Sequence, residues 1–144
     1  FFNVADTESI PTGELRQVAG SPMDFRSPKP IGQDIGADYE PLKLQGGYDH
    51  NWEVFCNPCA FLSDPVSGRT MAVYTDCPGI QFYAGNFLDG SFVGKKGVKY
   101  PRRSAFCFET QHYPDSPNHP EWPSTTLLPG ENYMTTTMYK FSTK

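Results

Sequence analysis

Apolar and polar positions alternate most clearly near the far end of the chain. Across residues 131–141 one face carries Tyr133, Thr135, Thr137, Tyr139 and Phe141, aromatic and β-branched types that suit a pleated strand, and Pro129-Gly130 supplies a turn just before it. Two further β-prone runs, 69–76 and 80–86, are separated by Cys77-Pro78-Gly79, a spacing that predicts a hairpin or a tight strand-to-strand turn. Residues 14–18, 48–55 and 105–111 read as three more strands. No window keeps an apolar stripe at helical spacing for three turns. One short helical turn or a loop is expected at 28–35, where Pro30 suits the first helical position and Gly32 limits the length. The pattern predicts an all-β chain.

Two stretches carry no period at all. Residues 89–99 hold three Lys and three Gly, and 113–129 hold five Pro among seventeen residues; loops of this length on a β scaffold often carry function. With 14 Pro and 13 Gly in 144 residues, the composition reinforces short strands over helices, and the length allows one domain with a substantial core. Net charge is −4, and the only basic pairs are Lys95-Lys96 and Arg102-Arg103, which argues against a nucleic-acid partner. There is no apolar run of membrane-spanning length and no secretory signal pattern at the start, so no membrane partner and a cytoplasmic location are expected. Four Cys beside 21 aromatic residues predict free thiols, because such a chain can build a core without disulfide staples. The chain opens on Phe1-Phe2-Asn3-Val4-Ala5, apolar from its first residue, and reads as a fragment whose first strand has been joined partway.

Several residues have side chains suited to chemistry. In Ala105-Phe106-Cys107-Phe108-Glu109-Thr110-Gln111, alternation sets Cys107, Glu109 and Gln111 on one face and Phe106 and Phe108 on the other. If that face lines a pocket, desolvation would raise the Glu109 pKa and make it a better general base; a solvent-facing Glu fits the same alternation. Asp49 and His50 lie in Gly46-Gly47-Tyr48-Asp49-His50-Asn51-Trp52, a polar cluster behind a flexible Gly pair. Such a cluster can bond vicinal sugar hydroxyls, or Asp49 and Asn51 can bond their own backbone in a turn. His112, Asp115 and His119 match no zinc spacing, and no metal is expected. Cys56-Asn57-Pro58-Cys59 lacks a second such pair and reads as inert strand-end thiols. Most aromatics belong to a core, although Trp52, Phe82 or Trp122 could stack on a sugar face.

Taken together, several segments resemble the aldose 1-epimerase family, in its order and over nearly the whole chain. They are Ile10-Pro11-Thr12-Gly13-Glu14, Pro22-Met23-Asp24-Phe25-Arg26, Ile31-Gly32, Gly47-Tyr48-Asp49-His50-Asn51-Trp52, the run from Pro78 to Phe87, Phe106-Cys107-Phe108-Glu109-Thr110-Gln111, and Leu128-Pro129-Gly130-Glu131-Asn132-Tyr133. The resemblance implies a large twisted β-sandwich of the galactose mutarotase type, with residues 1–144 forming the C-terminal part, roughly half, of a single domain. It implies that Glu109 is the catalytic base, that Asp49 binds sugar hydroxyls with His50 supporting it, and that Gln81 contacts the sugar near its reacting end. The substrate would be a free aldohexose such as galactose or glucose, with no cofactor and no metal.

The family's catalytic acid is a His in the N-terminal half, and that segment is not among these residues. The missing half of the enzyme is therefore an expected partner, and the chain alone is expected to be nearly inactive. Two alternatives remain open on the sequence: a non-catalytic carbohydrate-binding β-sandwich, and a hexose-6-phosphate mutarotase in which Arg102-Arg103 would hold the phosphate.

Overall fold

A computed structural model describes the whole chain, Phe1–Lys144. Eight strands and one short helix follow in the order β1 (Phe2–Ala5), β2 (Pro11–Arg16), α1 (Glu40–Leu44), β3 (Asp49–Glu53), β4 (Ala60–Ser63), β5 (Arg69–Thr75), β6 (Gly79–Tyr83), β7 (Cys107–Gln111) and β8 (Thr137–Thr143). Five strands form one sheet in the order β2-β1-β3-β6-β7, and three form a second in the order β4-β5-β8. The chain divides into two compact units, Phe1–Trp52 with Gln81–Glu109, and Glu53–Ile80 with Thr110–Lys144. No helix is long and apolar enough to cross a membrane.

In the first unit the pleat of the five-stranded sheet separates chemistry cleanly. Phe2 pairs with Trp52 across β1 and β3, and the Phe82 ring of β6 lies 6.2 Å from Trp52 and 5.1 Å from Phe108 of β7. These alternate residues give the sheet an apolar face. It packs against Met23, Leu42 and Tyr48, which are almost fully buried, and each such side chain contributes about 1.5–3 kcal/mol through removal from water. The intervening residues Asn3, Asn51, Asp49, Gln81 and Glu109 take the opposite side of the pleat. Asn51 Nδ2 donates to Asn3 Oδ1 at 2.8 Å, and both amides are buried.

Helix α1 was not legible as a helix in the sequence, whose expectation of one helical turn or a loop at 28–35 agrees with the structure. That earlier stretch forms turns, with the Gln33 amide donating to the Pro30 carbonyl and the Ala37 amide to Asp34, while Lys29 Nζ is held by Asp34 Oδ2 at 2.7 Å. The helix forms instead where Pro41 lies in the first turn and Gly46 follows the last. Gly46 adopts φ +65°, the Gly47 amide donates to the Leu42 carbonyl at 2.8 Å and the Gly46 amide to Lys43 at 3.3 Å, a Schellman ending that satisfies the terminal carbonyls. The helix is five residues long and stops at the start of β3.

In the second unit β5 pairs antiparallel with both neighbours, with Val73 opposite Ala60 on one side and Tyr139 on the other. Val73 is fully buried, and Thr75 faces Thr137 at the end of the ladder. Of the two expectations for 69–76 and 80–86, the tight strand-to-strand turn holds and the hairpin does not, because β5 and β6 belong to different sheets. The last strand starts at Thr137 rather than at residue 131, and the Asp76 carboxylate accepts the Thr136 amide at 3.0 Å, fixing the approach to it. The opening run Phe2–Ala5 is a strand, as its apolar character implied, and Ala60–Ser63 is a strand that the pattern did not reveal. All four cysteines are free thiols.

Candidate active site

Three adjacent strands of the five-stranded sheet carry the sequence-predicted residues: Asp49 on β3, Gln81 on β6 and Glu109 on β7. Gln81 Nε2 donates to Asp49 Oδ1 at 2.8 Å. Asp49 therefore does not close an Asx turn on its own backbone, and Asn51 is engaged with Asn3. Burial pushes the Asp49 carboxyl above the usual carboxylate range, and the Gln81 bond opposes that shift. Gln81 thus holds a half-buried carboxylate in one orientation.

Cys107 lies two residues before Glu109 on the same side of β7. Its thiol is pushed upward by partial desolvation first, then by the charges of Glu109 and of Asp49. A thiol that senses both carboxylates links the Asp49–Gln81 pair to Glu109 on one polar face. Glu109 itself is exposed. Asp49 sits on an inner strand of the sheet and Glu109 on its border strand, so within these residues it is Asp49 that is partly buried.

His50 points to the apolar side, 2% exposed, with its ring edge-on to Phe2 and Trp52 at 5.7 and 6.0 Å. Its Nδ1 accepts the Asp49 backbone amide at 3.1 Å, and the buried ring also faces the Pro41 carbonyl, which partly offsets the effect of burial. Burial lowers the imidazole to a pKa of about 4, so it is neutral at physiological pH. The histidine supports Asp49 through its backbone.

The aromatic candidates belong to cores rather than to a sugar platform. Phe82 and Trp52 pack with Tyr48 and Phe25, and Trp52 Nε1 donates to the Met23 carbonyl at 3.1 Å. Trp122 is buried in the second unit, stacked on His119 at 4.0 Å and edge-on to Tyr113. His119 is 3.5 Å from Asp115 and 3.2 Å from Glu121. No group of three or more His, Cys, Asp or Glu is arranged to hold a metal ion.

Two features around Asp49 escaped the sequence reading. Asn86, at the exit of β6, is buried and donates Nδ2 to the carbonyls of Gln45 and Tyr48 at 3.2 and 2.9 Å, spanning the Gly46-Gly47 turn. Arg102 and Arg103 each place Nη2 on the Gly46 carbonyl, at 2.6 and 2.9 Å, so both cations are engaged with backbone. The Gly pair was the available signal, since two successive positive-φ residues need neighbours that hold them.

The family model of aldose 1-epimerase matches residues 1–140. The chain belongs to the aldose 1-epimerase family. Galactose mutarotase from Homo sapiens is 44% identical over 144 residues, covering 95% of this chain and 40% of the relative. Aldose 1-epimerase from Escherichia coli (strain K12) is 38% identical over 144 residues, covering 94% of the chain and 41% of the relative. Among solved structures, the GalM/aldose epimerase homologue from C. elegans superposes with a TM-score of 0.83 at 30% identity, over 99% of this chain and 43% of that one. Galactose 1-epimerase from Lactobacillus acidophilus NCFM gives 0.85 at 29% identity, over 99% and 41%. This member of the aldose 1-epimerase family has the antiparallel, strand-rich fold expected from its sequence and spans about two fifths of the length of the relatives it matches.

Proposed function

We propose that the protein containing this chain is an aldose 1-epimerase that interconverts the α and β anomers of free hexoses such as galactose and glucose. The observation that carries the reading is the hydrogen-bonded Asp49–Gln81 pair on the same polar sheet face as Glu109, within a chain of this family. Residues 1–144 would form the C-terminal part of a single domain, in line with the 40% of the human relative that they match. A cytoplasmic location goes with the proposal and is supported by four cysteines that are all free thiols.

In this reaction Glu109 takes the proton of the anomeric hydroxyl while an acid donates a proton to the ring oxygen. The C1–O5 bond breaks and leaves the open-chain aldehyde. Rotation about C1–C2 presents the other carbonyl face, and the reverse proton transfers close the ring as the opposite anomer. The acid would be a His supplied by the part of the protein outside these residues. Asp49, half-buried and oriented by Gln81, would accept hydrogen bonds from sugar hydroxyls, and partial desolvation strengthens such bonds. Proton transfer alone suffices, so the chemistry calls for no cofactor.

Polarimetry of freshly dissolved α-D-galactose and α-D-glucose tests the proposal. The intact protein should speed mutarotation, and Glu109→Gln should lower kcat by roughly 10²–10⁴ with sugar binding retained. Sugar binding without turnover in the unaltered protein would instead support the carbohydrate-binding sandwich, and turnover restricted to 6-phosphates would support the sugar-phosphate reading.

A further inference from the structure

Asp49 and Glu109 lie 60 positions apart in the chain, and nothing local to either fixes the distance between them. On the reading of Asp49, Gln81 and Glu109 as the sugar site, we propose that Arg102 and Arg103 are positioning residues. They tie the start of the base-bearing strand β7 to the turn that launches Asp49, so that the two carboxylates keep a set separation.

Both guanidiniums reach across more than fifty residues of sequence to one atom, the Gly46 carbonyl, with Nη2 distances of 2.6 and 2.9 Å. Charge-assisted bonds of this kind are roughly twice as strong as neutral ones. Two cations on one acceptor also repel, and Arg103 has its pKa lowered by desolvation and then by Arg102. An arrangement with that cost persists only where the surrounding structure holds it. Arg102 adds Nε to the Asn86 carbonyl at 3.2 Å, and the Arg103 amide donates to the Gly85 carbonyl at 3.0 Å. Arg103 itself has φ +62°, the left-handed region that a non-glycine residue enters only under constraint.

The tie therefore joins three connecting segments at one point: the turn before β3 at Gly46, the chain leaving β6 at Gly85 and Asn86, and the approach to β7 at Arg102 and Arg103. Asn86 closes it by bridging the carbonyls of Gln45 and Tyr48. Asp49 is the first residue of β3, one position beyond Tyr48, so any tilt of the Gly46-Gly47 turn moves its carboxylate. The other end of the tie precedes Glu109 by only a few residues of extended chain. None of these bonds involves β8, which meets β7 where Thr137 bonds Thr110, so β8 from Met138 onward is an internal control.

The test compares the intact protein with Arg102→Met, Arg103→Met, the double variant and Arg102→Lys. Hydrogen exchange is read at residues 46–50 and on β8. The double variant should exchange about tenfold faster at Tyr48, Asp49 and His50, with β8 from Met138 onward unchanged, and Arg102→Lys should recover only part of the protection because a single ammonium lacks the planar fork whose Nε and Nη2 reach the Asn86 and Gly46 carbonyls. In mutarotation, KM should rise about tenfold while kcat changes less. Adding Asp49→Asn should abolish that rise, because the arginines act through Asp49. Unchanged exchange at 46–50, an undiminished KM effect in the Asp49→Asn background, or exchange rising equally on β8 would overturn the proposal. If the unaltered protein proves inactive on sugars, the sugar-site reading fails by itself, and the exchange comparison alone decides whether the arginines hold the turn.

Discussion

At the residue scale, burial rather than identity separates the carboxylates. Asp49 is half-buried with a raised pKa, whereas Glu109 is exposed. On the proposed reading, Asp49 takes up its proton at a higher pH than an ordinary aspartate, and the hydrogen bonds it would accept from sugar hydroxyls weaken as it does. The acid limb of 1/KM should be shifted upward accordingly and be lost in Asp49→Asn, as measured by KM across pH 3–7. His50 titrates in the other sense. Its folded pKa of about 4 lies below its unfolded value near 6.5, so the unfolded chain binds the extra proton between these limits. Stability from the neutral imidazole is complete above about pH 6.5 and is lost as pH falls toward 4, by up to about 3 kcal/mol. Denaturant titrations of unaltered protein and His50→Gln should show a flatter pH dependence for the variant. Neither shift was readable from sequence, because each depends on which side of a strand faces the core. The polar cluster around Asp49 and Asn51 was legible in the sequence, whereas Gln81 was singled out only through the family resemblance.

At the element scale, the alternation that predicted β3, β6 and β7 also divides the sheet into an apolar and a polar face, and that much the pattern contained. Phe106 and Phe108 turn toward Phe82 as their spacing required. What pattern could not convey was partnership: β5 and β6 adjoin in sequence but belong to different sheets, a fact of long-range pairing that no window of ten residues encodes. Helix α1 was missed for a related reason. Pro30 and Pro41 are equally good first-turn residues, but Gly32 stands only two residues after Pro30, whereas Gly46 stands five after Pro41 and takes φ +65°, ending the helix in the left-handed region. Gly47 has φ +141°, and a Cβ there would overlap the Asn86 amide oxygen, which its two hydrogen bonds prevent from moving aside. Gly47→Ala should cost about 1–3 kcal/mol in denaturant unfolding, more than an alanine placed at the open Gly36.

At the scale of the whole molecule, family membership carries information that these residues do not hold by themselves. The chain matches two fifths of its relatives' length, and the proposed reaction needs an acid opposite Glu109. The 144-residue chain alone should leave the polarimetric rate of α-D-galactose at the buffer value, while the intact protein accelerates it; an active chain would mean that the acid lies among these residues after all. The resemblance read from seven segments extended over nearly the whole chain, and the family match over residues 1–140 agrees with it. The spacing of the site along the chain has a kinetic consequence as well. Asp49 and Gln81 are separated by 32 residues, and Glu109 follows after a similar interval, although their strands are neighbours. Loops of that size close slowly compared with the turns of the local pairs β1–β2 and β4–β5, so the strand content of those pairs should appear during refolding before β3, β6 and β7 bring these three side chains together. A refolding experiment followed by far-ultraviolet dichroism and by sugar binding would then show two clocks, with the ability to recognise sugar always the later.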